Sequence, residues 1–215
     1  MAVPLPAAPA ITRLDSTDGR RHPLALHEAF DEVLRAARAG APWAFERLYA
    51  DLAPPVAGYL RAQRAAEPED LTSEVFLGVF RGLVTFEGGE EKFRSWVFTI
   101  AHRRLQDERR RLARRPRLTP VDPELGLPGG DAEQEALDVL GEQWVWRLSE
   151  KLSADQRTVL LLRVVADLTA EQVAGITGRS EGAVRALQRR GLEALRRMIA
   201  EEHRGRAALP RRGGS

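Results

Sequence analysis

Residues 116–134 cannot sit inside a helix or a strand. Pro116, Pro120, Pro123 and Pro128 fall there, with the pair Gly129-Gly130. Each proline lacks a backbone donor and clashes with a preceding helical turn, and paired glycines make ordering the chain costly. A chain carrying such an interval between two regions of apolar periodicity folds as two lobes. The interval is expected to be an extended linker and domain boundary.

On both sides apolar residues recur at three- and four-residue spacing, the period of an amphipathic helix. In the first lobe this predicts a helix over residues 27–39 and a second opened by Pro42, with Phe45, Leu48, Tyr49 and Leu52 on its inner face. The Pro54-Pro55 pair is expected to break or restart that helix. A third helix starts at Pro68, with Leu71, Val75, Val79, Phe80 and Leu83 on one face and Asp70 and Glu74 off it. After a Gly-containing loop (Phe86 to Glu91), a long helix runs from Lys92 to Arg114. Its predicted buried face is Phe93, Trp96, Val97, Ile100 and Ala101, and its second half is polar and basic nearly all round.

In the second lobe a first helix carries Leu137, Leu140, Trp144, Val145, Leu148 and Leu152. Ser153 with Gln156, and Thr169 with Gln172, have the spacing of capping boxes. The first box opens a helix through Val159, Leu160, Arg163 and Val164. The second opens a short one with Val173, Ala174 and Ile176 inside. After the turn Thr177-Gly178-Arg179, Ser180 caps a last helix to about Ile199, with Val184, Leu187, Leu195 and Met198 facing in. No strand alternation and no repeat occurs.

The expected fold is all-α, two small helical domains joined by a flexible acidic linker, the C-terminal one a helix-turn-helix. The boundaries are 1–26 (flexible N-terminal extension), 27–115, 116–134 (linker), 135–200 and 201–215 (basic flexible tail).

The 215 residues carry a net charge of only +2, but that charge is segregated. From Lys92 to Arg117 ten basic residues face two acidic ones, a balance of +8. From Leu118 to Glu142 there are seven acidic residues and no basic one. Such segregation points to a polyanion at one place and a basic partner at another. Apart from Lys92 and Lys151 every cation is Arg, whose planar fork suits phosphate and base edges; codon bias in a GC-rich genome gives the same composition. The chain has no cysteine, which excludes disulfides and thiolate metal sites. It has no apolar run of membrane-spanning length and no secretory signal pattern, so a cytoplasmic protein is expected. Catalytic motifs are absent and His22, His27, His102 and His203 lack metal spacing, so neither enzyme activity nor a cofactor is expected.

Three constellations could carry function. Residues 169–199 fit a helix-turn-helix, whose second helix would offer Arg179, Glu181, Arg185, Gln188 and Arg189 to a major groove; a helical hairpin with a solvated Arg face fits them too. Phe93, Trp96 and Phe98 precede an Arg cluster, a pattern that can stack unpaired bases. Phe93 and Trp96 share the face of Val97 and Ile100 and fit a core role better, whereas Phe98 lies off that face. Asp70 and Glu74, one turn apart, suit a helix N-terminus or a dock for a basic helix.

Taken together, Ala44-Phe-Glu-Arg-Leu-Tyr49, Pro68-Glu-Asp-Leu-Thr-Ser-Glu-Val-Phe76 and Phe93-Arg-Ser-Trp-Val-Phe-Thr-Ile-Ala101 resemble the helical domain of extracytoplasmic-function (ECF) sigma factors, in the sigma-70 family. Leu152-Ser-Ala-Asp-Gln-Arg157, Leu160-Leu-Leu-Arg163 and Ser180-Glu-Gly-Ala-Val-Arg185 resemble that family's second domain. The resemblance implies a promoter-specificity subunit whose partners are core RNA polymerase, through its β′ and β subunits, and promoter DNA. An anti-sigma factor is a common further partner in the family. The family's Asp-Leu-x-x-Glu helix docks on a basic β′ coiled coil, which falls on Asp70 and Glu74, with Ser73 where Gln is common. Recognition and opening of the −10 element falls on the Phe86–Glu91 loop and on Arg94, Phe98, His102 and Arg103, with Arg109 and Arg110 beside them. Reading of the −35 element falls on Arg179, Glu181, Arg185, Gln188 and Arg189. Two departures stand out. Arg103 replaces a frequent Asn, and Gln188 stands at a usual apolar site, where Leu187 would take over the packing. The other reading of the residues is a polymerase-independent helix-turn-helix regulator.

Overall fold

The computed structural model describes residues 26, 29–114 and 152–207, apart from the side chains of 202, 203 and 205–207. The N-terminal extension, the linker, the helix expected before Leu152 and the end of the tail lie outside the described residues. Within them the fold is helical, with no strand. The first lobe holds α1 (Phe30–Arg38), α2 (Pro42–Ala62), α3 (Pro68–Gly82), a 3-10 turn (Leu83–Thr85) and α4 (Glu90–Arg114). The second holds α5 (Ala154–Val164), α6 (Ala170–Thr177) and α7 (Glu181–Ala207).

Local chemistry explains most of these boundaries. In α1, Asp31 and Glu32 sit in the first turn and Arg35 and Arg38 in the last, each favourable to the helix dipole. Both capping boxes form: Ser153 and Thr169 accept from the backbone N–H of Gln156 and Gln172, whose side chains reach back. The N–H of Ala183 donates to the Ser180 hydroxyl at 3.2 Å. Gly178 ends α6 in the left-handed region at φ +67°.

Four expectations are corrected. The Pro54-Pro55 pair does not break α2, which stays one helix. Leu48, Leu52, Val56, Tyr59 and Leu60 are buried on both sides of the pair, and that packing outweighs the donors the prolines lack. In α4 the buried face is Phe93, Val97, Phe98, Ala101, Leu105 and Glu108; Trp96 and Ile100 are only partly covered. This face lies about one residue from the predicted one. Tyr49, expected on the inner face of α2, is 42% exposed, with its ring edge-on to Phe76. The last helix runs beyond Ile199 to Ala207.

The first-lobe core gathers Tyr59, Phe76, Phe93 and Phe98 between α2, α3 and α4. In the second lobe α7 packs on α5 and α6. A Cβ on Gly191 would lie 2.7 Å from the Leu160 side chain, so glycine is what lets α7 cross α5 this closely. The lobes also touch each other, α4 against α6 and α2 against α5.

Candidate nucleic-acid interface

On α4 the residues expected at −10 DNA divide by environment. Arg103 is exposed on the outer face, and so is Arg110, whose Nη1 lies 3.1 Å from Asp107. Arg94 is 12% exposed and held between Glu90 at 3.2 Å and Asp167 of the second lobe at 3.8 Å. Arg109 donates through Nη2 to the Gln63 carbonyl at 2.6 Å and to Gln63 Oε1 at 3.1 Å. Phe98 is 0% exposed and packs edge-on against Tyr59, with ring centroids 5.8 Å apart. Base stacking by Phe98 is therefore corrected to a core role, because no face of the ring reaches solvent. The period-based reading misplaced it because the α4 face is rotated.

His102 is half-buried, its Nδ1 2.8 Å from the Tyr59 hydroxyl. Burial, and then the neighbouring Arg109 guanidinium, push the imidazole below its ordinary pKa. Burial pushes the Tyr59 phenol up. At neutral pH a protonated Tyr59 phenol thus shares this hydrogen bond with a neutral His102.

Beside this face the loop after α3 frames an open cleft. Two backbone carbonyls, Leu83 O and Phe86 O, accept from the Arg38 guanidinium, which fixes the loop. Phe86 stacks on Trp96 at 5.1 Å and 27°. Gly82 lets Trp96 lie close, since a Cβ there would meet the indole at 2.8 Å. Thr85, Phe86, Lys92, Ser95, Trp96 and Thr99 line a cleft of about 490 Å³. It combines an aromatic wall, hydroxyls and one ammonium with the Glu87 carboxylate and the Gln172 amide, and its aromatic wall is of the kind on which an unpaired base stacks. Lys92, Ser95 and Thr99 escaped the sequence reading; their i, i+3, i+7 spacing along the loop-facing side of α4 was the available signal.

In the second lobe Arg185 and Arg189 are exposed on α7, and Arg185 pairs with Glu181 at 2.6 Å. Arg179, in the turn, pairs with Asp155 at 2.7 Å. Gln188 is only half exposed and its Oε1 accepts from Arg163 Nε at 3.2 Å, while Leu187 is buried. The outward edge of α7 is consequently the Glu181–Arg185–Arg189 line.

The exposed face of α3 carries acidic residues. Asp70, Ser73 and Glu74 are exposed on α3, and Leu77, one turn further on, is 55% exposed. Glu74 lies 3.6 Å from Arg104. Leu77 escaped the sequence reading, although it is an apolar residue standing off its helix's apolar stripe. An acidic face around one exposed leucine suits a basic amphipathic helix.

Two family models match the chain: Sigma-70 region 2 over residues 48–115, and Sigma-70, region 4 over residues 142–195. The chain is 36% identical over 138 residues to the ECF RNA polymerase sigma factor ShbA of Streptomyces griseus, covering 62% of this chain and 72% of that one. It is 31% identical over 177 residues to the ECF RNA polymerase sigma factor SigD of Mycobacterium tuberculosis, covering 79% and 83%.

The chain belongs to the ECF sigma factors.

Its fold is similar to that of CnrH in complex with the cytosolic domain of CnrY, with a TM-score of 0.57 and 20% identity over 81% of this chain and 99% of that one. In this sigma factor region 2 corresponds to α2 through α4, and region 4 to the lobe containing α5, α6 and α7. The α3 face, the Trp96 cleft and the exposed α4 arginines thus all lie in region 2, and the helix-turn-helix lies in region 4. No described helix is long and apolar enough to cross a membrane.

Proposed function

We propose that this sigma factor docks on core RNA polymerase through Asp70, Ser73, Glu74 and Leu77, captures −10 DNA with α4 and the cleft beside it, and anchors on −35 duplex with α7. It acts in the cytoplasm and performs no catalysis of its own. The observation that carries the reading is the placement of two oppositely charged surfaces on one region 2 unit. The acidic α3 face and the exposed Arg103 and Arg110 of α4 can be engaged by a basic protein and a polyanion at the same time. His102 belongs to the −10 surface through the ring edge that Tyr59 does not engage. Arg94 and Arg109 support that surface by holding structure, since their guanidinium groups are engaged within the protein. On the −35 side Arg185 and Arg189 suit guanine or phosphate and Glu181 suits a cytosine amine. Gln188 positions α7 through Arg163.

The test is reconstitution with sigma-free core polymerase and run-off transcription over a promoter library. Asp70→Arg together with Glu74→Arg should weaken core binding at least about tenfold while the helical circular dichroism is unchanged. Unchanged core affinity refutes the docking face. Tight DNA binding without polymerase and without transcripts would favour a free-standing regulator.

A further inference from the structure

Arg38 stands in the last turn of α1, outside the residues matched by either family model. Its backbone is held firmly. Phe30, Val33, Leu34 and Ala37 bury the other face of α1. The N–H groups of Ala39, Gly40 and Ala41 bond back to the carbonyls of Arg35, Ala37 and Ala36. Gly40 takes φ +82°, which turns the chain toward α2 and leaves Arg38 at an exposed edge. From there the guanidinium reaches 45 and 48 positions along the chain. Its Nε donates to Leu83 O at 3.2 Å and its Nη2 donates to Phe86 O.

Those two carbonyls bracket the turn that leaves α3. Leu83 and Phe86 are buried, and Val84 and Thr85 between them are exposed. Beyond them Glu87, Gly88 and Gly89 are exposed as well. Two glycines in succession give such a stretch little conformational preference of its own, so its course depends on how its ends are tied. One end is tied at α4, where the Phe93 N–H donates to Gly89 O at 3.0 Å. The other is tied by Arg38. A planar guanidinium spanning two carbonyls fixes direction as well as distance, which a point charge does not.

This stretch forms part of the cleft. Phe86 stacks on Trp96. A Cβ on Gly88 would lie 2.7 Å from the Lys92 stem, so the loop backbone rests on that side chain. Moving the Phe86 carbonyl therefore moves an aromatic wall of the cleft and frees its ammonium together. Discrimination among bases depends on that geometry, whereas attraction to phosphate follows charge, which a shifted loop leaves in place.

We propose that Arg38 is a positioning residue for −10 recognition, holding the 83–86 turn where the Phe86–Trp96 wall and Lys92 discriminate one base. In this way α1 takes part in promoter choice without touching DNA. The inference rests on the −10 reading of the cleft given above.

Arg38→Ala and Arg38→Lys are compared with wild type as holoenzyme, on promoters from the run-off library and their single-base variants. Both substitutions should lower discrimination at one −10 position about fivefold or more, with −35 discrimination and core affinity unchanged. Arg38→Lys keeps the charge and loses the fork, so wild-type discrimination by that variant overturns the proposal. The salt dependence of promoter binding should keep its slope in Arg38→Ala; a slope smaller by about one makes Arg38 a phosphate contact and overturns it too. In the free protein, hydrogen exchange at the amides of residues 86–89 should quicken about tenfold or more in Arg38→Ala while that of Val75 to Val79 holds. Unchanged exchange at 86–89 shows that Arg38 does not tie the turn. Equal weakening at every promoter position, together with a lower unfolding midpoint, marks a merely structural residue and overturns the assignment. The −10 reading fails separately if Lys92→Ala with Ser95→Ala leaves −10 affinity and discrimination unchanged in protein that retains Arg38.

Discussion

The Tyr59–His102 pair shows how a residue's environment determines what it can offer. Because the His102 imidazole is held below its ordinary pKa, the folded state binds fewer protons than the unfolded state as pH falls. The stability this contributes is complete above the unfolded value near 6.5 and declines as pH drops through it. His102→Gln, which keeps a polar group but does not titrate, should flatten the pH dependence of chemical denaturation between about pH 5 and 7; an unaltered slope there would show that His102 is not the titrating group. Asp51 carries the opposite sign. Burial raises its pKa, Arg47 opposes that, and Glu90 adds to it. Its folded pKa lies above the unfolded one, so the stabilising contribution is full below pH 3.8 and lost as pH rises through the folded value. Oδ2 of Asp51 is buried without a hydrogen bond, 3.6 Å from Arg47 Nε. Asp51→Asn should therefore raise the urea midpoint at pH 7 relative to wild type, and the gain should vanish near pH 3.

Among the elements, α2 is where local and tertiary preferences conflict most. Pro54 and Pro55 remove two helical donors, yet the apolar face stays in register across them. Pro54 is exposed, so its replacement disturbs little packing. Pro54→Ala should stabilise the fold by about 1–2 kcal/mol, read from thermal and urea unfolding, because the restored N–H outweighs the entropy returned to the unfolded chain. A lower midpoint would show that the ring packs favourably where it stands. The short helix α6 makes the opposite case. With eight residues it depends on its cap, and Thr169→Ala should cost about 1 kcal/mol. Gly191→Ala should weaken region 4 more selectively, since the new methyl meets Leu160 and pushes α7 off α5. Its effect should appear first as lost −35 binding, with region 2 unaffected.

For the whole molecule, the two lobes share one continuous apolar cluster, with the polar Gln63–Thr158 contact beside it. In this arrangement charge segregation becomes function. The acidic residues of α3 and the basic Arg103 and Arg110 of α4 are both exposed. At the base-reading end, Arg185→Ala should cost about 1–3 kcal/mol of discrimination at one base pair of the −35 element, measured as promoter competition with the polymerase-bound protein. Uniform weakening across promoters would instead make Arg185 a phosphate contact.

Local chemistry alone determined the helices, both capping boxes, the Gly178 turn and the exposure of Asp70, Ser73 and Glu74, because each depends on residues within a few positions of one another. Family membership was legible for the same reason, since its motifs are contiguous. Tertiary structure decided the rest. Apolar periodicity locates a stripe only to within about one residue, and 100° of helix per residue separates a base-stacking Phe98 from a buried one. The continuity of α2 depends on neighbouring helices that cover both sides of the proline pair. Arg94, Arg109 and Gln188 read as free DNA contacts in the sequence. Their partners Asp167, Gln63 and Arg163 lie 25 to 73 positions away, a separation that only the folded chain closes.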